Sequence, residues 1–115
     1  MATQAQRSAE TGELGGRVAI VTGSSRGIGA AMAQRLSELG CSVVLNSSSS
    51  VEHGTRLAAK LPNPAAYVCA DVATVEGRAA LLSEAIDRFG RLDLLVNNAG
   101  WTRLVPHRDL GGLTE

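Results

Sequence analysis

The stretch "RVAIVTGSSRGIGA", Arg17 to Ala30, changes its periodicity midway, and that change decides the fold. Val18 to Val21 are consecutive apolar residues, mostly β-branched, as expected of a strand buried on both faces. They run into Thr22 and Gly23, where a tight turn is expected. Past the glycines the apolar residues recur at helical spacing, as Ile28, Met32, Leu36 (beside Arg35) and Leu39, and Gly40 follows as the C-terminal stop. A buried strand, a glycine-rich turn and a helix therefore open the domain.

The same alternation continues along the chain. "CSVVLN", Cys41 to Asn46, reads as a second buried strand, and the serines Ser47 to Ser50 follow it. Ser49 stands three residues before Glu52, the spacing of a capping box. The helix this predicts, Val51 to Leu61, turns Leu57, Ala58 and Leu61 to one face and stops at Pro62-Asn63-Pro64. "AAYVCADV" is a third strand, and Thr74 is the expected N-cap of a third helix that carries Val75, Ala79, Leu82, Ile86 and Phe89 on one stripe and ends at Gly90. "LDLLVNNAG" is a fourth strand, apolar throughout Leu94 to Val96.

Apolar strands alternating with amphipathic helices predict an α/β doubly wound parallel sheet of the Rossmann kind. Right-handed crossovers give it the strand order 3-2-1-4, with the first two helices on one face and the third on the other. Strand four is then an exposed apolar edge, and an isolated chain of this form is expected to be marginally stable or aggregation-prone. The expected organisation is a loose tail over 1–16, a nucleotide-binding half-domain over 17–105 and a truncated segment over 106–115.

Composition narrows the function. The 115 residues, 44% hydrophobic, suit one small domain, and eleven basic residues balance eleven acidic ones without forming a patch. There is no electrostatic case for a nucleic-acid or anionic-membrane partner. The first sixteen residues are polar, with neither the apolar core of a signal peptide nor a membrane span, which favours a cytoplasmic protein. Cys41 and Cys69, at opposite ends of neighbouring strands, read as buried reduced thiols. His53 reads as a surface residue, and neither it nor His107 has a partner at metal-ligand spacing.

In a doubly wound domain the first strand-to-helix turn admits a pyrophosphate, because helix N-terminal amides point outward, the helix dipole favours anions and missing side chains permit close approach. Gly23, Gly27 and Gly29 are placed for this, although in the order G-x-x-x-G-x-G rather than G-x-G-x-x-G; three glycines alone are equally a structural turn. With "TGSSRGIG" at Thr22 to Gly29, "DV" at Asp71 and Val72 and "NNAG" at Asn97 to Gly100, the chain resembles the short-chain dehydrogenases/reductases, NAD(P)-dependent oxidoreductases, from Gly16 to about Val105. The resemblance implies that Gly23, Ser24, Ser25, Arg26, Gly27, Ile28 and Gly29 bind the cofactor's phosphates. It places Asp71 and Val72 at the adenine, and Asn97, Asn98, Ala99 and Gly100 along the cofactor site at the end of strand four.

Charge favours NADP(H) over NAD(H). An acidic residue at the end of strand two would bind the ribose diol and repel a 2′-phosphate. Here "LNSSSS" supplies no carboxylate before Glu52, while Arg26 offers a guanidinium fork. Arg26 and Ser47, with Asn46 beside them, are the expected 2′-phosphate site; for Arg26 a solvated loop cation is the alternative.

The family's chemistry moves hydride between the nicotinamide and a small carbonyl or alcohol substrate, using a serine after strand five and a Tyr-x-x-x-Lys on the next helix. Both lie beyond the region matched. Tyr67 belongs to strand three, has Asp71 where the lysine would be, and reads as structural; Lys60 ends the second helix. Two readings stay open: the cofactor-binding N-terminal portion of an NADP(H)-dependent oxidoreductase, without its catalytic residues, or a non-catalytic nucleotide-binding or interaction module that uses the exposed strand edge. The resemblance carries no oligomeric state to this chain.

Overall fold

Seven elements alternate along residues 12–98, the part of the chain that the computed structural model describes. They are β1 (Val18–Val21), α1 (Gly27–Glu38), β2 (Ser42–Ser47), α2 (Val51–Lys60), β3 (Ala65–Cys69), α3 (Val75–Phe89) and β4 (Leu94–Val96). The strands form one parallel sheet in the order β3-β2-β1-β4. This is the predicted order.

Alternation within β1 splits the core in two. Ala19 and Val21 join Val43, Leu45, Ala33 and Leu61 in one cluster, against which Leu36, Leu57 and Ala58 of α1 and α2 pack. Val18 and Ile20 join Val44, Leu81 and Ala85 on the other face, under α3. Val21, Val43, Val44 and Leu45 are fully buried, and burial of each such side chain contributes about 1.5–3 kcal/mol. The first two helices thus cover one face and the third covers the other.

Two helices turn a different stripe inward from the one expected. In α1 the buried residues are Gly29, Ala33 and Ser37, one position past the predicted stripe, and Ile28 is 73% exposed. In α3 they are Gly77, Leu81 and Ala85, while Val75, Leu82 and Ile86 face outward and only Phe89 of the larger predicted set packs beside the core. The physical reason is close approach. A Cβ on Gly29 would overlap the carbonyl of Gly23, and one on Gly77 would overlap that of Asp71. Each helix therefore brings a glycine and an alanine closest to the sheet, with Leu36 of α1 and Leu81 of α3 packing beside them, whereas hydrophobic periodicity weights only the largest residues.

The predicted capping box does not form. The N-cap of α2 is Ser50, without a side-chain cap bond, and its Oγ accepts instead from Arg26 Nη2 at 3.1 Å. The carbonyl of Ser49 accepts from the Val51 N–H. Thr74 does cap α3, its Oγ1 accepting from the Gly77 N–H at 2.9 Å. Of the two cysteines, Cys41 is buried as expected, whereas Cys69, at the end of an edge strand, is exposed; both are free thiols.

The amino end of the sheet is closed by hydrogen bonds between distant parts of the chain. Asp93 accepts from the Val18 N–H at 2.9 Å and from Arg91, and Asn63 bonds Ser37 through both its N–H and its side chain, at 3.0 and 2.6 Å. Residues 12–16, assigned from sequence to the tail, form a turn whose Leu14 packs on the first cluster and donates its N–H to Leu39. Among the described residues β4 is the far edge of the sheet, apolar and with Leu95 64% exposed. Among the described residues no helix is long and apolar enough to cross a membrane.

Candidate functional site

The turn after β1, Thr22 to Arg26, is held by hydrogen bonds to the carboxyl ends of its two neighbours in the sheet, β4 and β2. Thr22 is buried; its N–H donates to the Val96 carbonyl at 3.0 Å, and its Oγ1 donates to Asn97 Oδ1 at 3.1 Å and accepts from the Asn98 N–H at 2.8 Å. Asn98 Nδ2 reaches the Gly23 carbonyl at 3.4 Å. The glycine-rich turn after β1 is thereby stitched to the one after β4. Ala99 and Gly100 lie outside the described residues, as do Trp101 and His107.

On the other side the turn is held by β2. The Ser24 N–H donates to the Asn46 carbonyl at 2.7 Å, and Ser24 Oγ accepts from the Asn46 N–H at 2.8 Å. The Asn46 side chain, almost wholly buried, donates to the carbonyls of Val68 and Ala70, both at 3.1 Å, and accepts from the Gly23 N–H at 3.4 Å. One asparagine ties the ends of β1, β2 and β3 together. A buried amide with every polar atom engaged is a rigid support. Asn46 thus shapes the site from behind.

The front of the site is the start of α1. Gly23 and Gly27 adopt φ of +59° and +65°, the left-handed region that glycine tolerates without strain. A Cβ on Gly27 would meet nothing within 4 Å, so space is open before the helix. The N-cap, Arg26, makes no side-chain cap bond, and the first turn holds no acidic residue. First-turn amides have no intrahelical acceptor, and the helix dipole adds a partial positive charge to them. The guanidinium of Arg26 adds a full one and is steadied on Ser50, beyond the end of β2.

Ser47 closes β2 and is 8% exposed, its Oγ hydrogen-bonded to the hydroxyl of Tyr67. Asp71 follows β3 and spends one carboxylate oxygen on the Ala73 N–H at 2.9 Å, while its carbonyl accepts from Thr74 Oγ1 at 2.8 Å. Val72 packs partly against the second core cluster. The described residues named from sequence therefore gather at one end of the sheet. What sequence reasoning missed are the supports, Ser50 under Arg26 and Tyr67 beside Ser47, because both contacts join residues twenty or more positions apart. Among the described residues no group of three or more His, Cys, Asp or Glu side chains could hold a metal ion.

Comparison with known proteins agrees with this geometry. The family model described as short chain dehydrogenase matches residues 17–111. A protein of Streptomyces violaceoruber that carries the name of a ketoacyl reductase of the granaticin polyketide synthase is 54% identical over 97 residues, which are 84% of this chain and 39% of that protein. A solved short-chain dehydrogenase/reductase of Serratia marcescens superposes with a TM-score of 0.73 at 35% identity, covering 83% of this chain and 40% of the other. A metagenomic short-chain oxidoreductase in complex with NADP gives 0.68 at 39% identity, over 75% and 40% of the two chains. The chain spans about two fifths of the length of these relatives. From its matched family model and its sheet order, this chain belongs to the short-chain dehydrogenase family.

Proposed function

We propose that this chain forms the adenosine and pyrophosphate half of an NADP(H) site in an oxidoreductase acting on a small carbonyl or alcohol substrate. The observation that carries this reading is the open start of α1, with no acidic residue in its first turn, beside an Arg26 guanidinium held on Ser50. The donor set fits the group. The first-turn amides of α1 would hold the pyrophosphate, with Gly27 leaving room for its approach. Arg26 and Ser47 would hold the 2′-phosphate, where a carboxylate would instead favour the free ribose diol. Asp71 and Val72 would border the adenine, and Asn97 and Asn98, with Ala99 and Gly100, would line the path toward the nicotinamide.

When bound, the cofactor supplies the hydride. The residues of this chain bind and orient it: Thr22 and Asn98 hold the turn rigid, Asn46 supports it from behind, and Arg26 selects the phosphorylated ribose. Rigid support matters because a displacement of about 1 Å can cost a hundredfold in rate. A complex of this kind at the cytoplasmic cofactor pool is the matching setting.

Calorimetry with NADPH and NADH tests the reading. NADPH is expected to bind more tightly, and Arg26→Ala is expected to lower NADPH affinity about tenfold, the value of a charge-assisted hydrogen bond, while NADH changes less than twofold. An unchanged ratio would remove Arg26 from the 2′-phosphate site. A second reading, an interaction module, is favoured by one observation: Leu95 on the β4 edge and Leu82 and Ile86 on α3 are all exposed. Under it the chain self-associates or captures a strand, and binding of NADPH is dispensable.

A further inference from the structure

Tyr67 is not accounted for by any motif, yet the fold builds a place for it. It pairs in register with Leu45 on β2, and Ser47 lies two residues further along that strand. Alternation therefore puts Tyr67 and Ser47 on the same sheet face, the one under α2. Gly54, buried in the first turn of α2, makes the space: a Cβ there would overlap the Tyr67 ring at Cδ1 and Cε1. Packed in this slot, the ring carries its hydroxyl to Ser47 Oγ, with the Ser47 carbonyl 3.5 Å away as a second, weaker acceptor. A phenol is protonated at neutral pH, and desolvation by burial raises its pKa further above the ordinary value.

A serine hydroxyl has one proton to give and two lone pairs to accept with. If Tyr67 donates to Ser47 Oγ, the serine's own proton is free for another acceptor. We propose that Tyr67 is a positioning residue for cofactor selectivity: by donating to Ser47 Oγ it orients Ser47 as a donor to the ribose 2′-phosphate, beside Arg26. A 2′-phosphate, which only accepts, gains from a donor held in place; a 2′-hydroxyl can donate or accept and gains little. Gly54 belongs to the same device, since without it the ring could not reach the end of β2. This inference rests on the NADP(H) reading given above.

The test compares the chain with its Tyr67→Phe, Ser47→Ala and doubly substituted forms, with NADPH and NADH titrated into each by calorimetry. Tyr67→Phe removes one oxygen and keeps the ring in its slot, and circular dichroism confirms the fold. It is expected to weaken NADPH binding about fivefold and NADH binding less than twofold, and the double variant is expected to bind NADPH no more weakly than Ser47→Ala alone. Equal loss for both cofactors, or losses that add in the double variant, would overturn the positioning role. Ser47→Ala gives a second route: a variant that keeps the full preference for NADPH also overturns it. An unsubstituted chain with no preference for NADPH overturns the NADP(H) reading itself, which is distinct from a selective chain whose Tyr67→Phe form stays selective.

Discussion

The two helices α1 and α3 start at the same end of the sheet with the same backbone device and opposite chemistry. Each has glycine at its third position, pressed on a carbonyl of the loop before it, Gly29 on Gly23 and Gly77 on Asp71. At α3 the helix is finished from within: Thr74 accepts from the Gly77 N–H, and Glu76 faces the positive end of the dipole. At α1 neither feature is present. Arg26, a poor cap, stands where a Thr or Asp would stabilise the helix, and its side chain leaves for Ser50. The difference teaches where this molecule gives up stability: a capped helix start is satisfied, and an uncapped one is available to an anion.

The comparison can be broken first at the glycines. Gly29→Ala and Gly77→Ala each force a Cβ into backbone and are expected to cost about 1–3 kcal/mol, seen as a lowered thermal midpoint. Only Gly29→Ala should also abolish NADPH binding by calorimetry, because it shifts the turn that faces the ligand. Normal NADPH affinity in a folded Gly29→Ala chain would place the phosphates elsewhere.

Next comes the cap itself. Thr74→Ala is expected to lose about 1 kcal/mol in urea unfolding, the ordinary value of an N-cap, with NADPH affinity unchanged. A loss of binding of the same size would mean that the two helix starts are coupled and not divided between stability and ligand.

The smallest effect serves as a control at the far end of the sheet. The carboxyl of Asp93 is held below its ordinary pKa by its hydrogen bonds to Arg91 and then to the Val18 N–H. A depressed folded-state pKa contributes stability that is present above the unfolded value and is lost as pH falls through the folded one. Urea midpoints measured from neutral pH to below about pH 4, the ordinary carboxylate range, should therefore fall more steeply for the chain than for Asp93→Asn. The slope should not depend on NADPH. Matching pH profiles for the two chains would remove Asp93 as the tie between β1 and the start of β4.

How much of this was legible beforehand differs from element to element. β1 was read correctly because a strand buried on both faces must be apolar at every position, as Val18 to Val21 are; β4 was legible from the same apolar run although Leu95 is exposed. The inward faces of α1 and α3 were not, because apolar size and nearness to the sheet point to different stripes when the contact is made by Gly29, Ala33, Gly77 and Ala85. The serine run was misread for a related reason. Ser49 and Glu52 have the spacing of a capping box, but Arg26, twenty-four residues before Ser50, takes the hydroxyl of the residue that does stand at the N-cap.

The amino-acid sequence by itself determined the order of elements, the sheet's strand order and the position of the glycine-rich turn, because these follow from local periodicity, glycine placement and the handedness of crossovers. The tertiary structure alone decided which side chains stand behind that turn: Asn46 across three strand ends, Ser50 under Arg26, and Tyr67 in the slot that Gly54 leaves. The physical reason is that a hydrogen bond between neighbouring strands depends on register and helix height, which are set by packing across the whole sheet and leave no periodic trace in the chain.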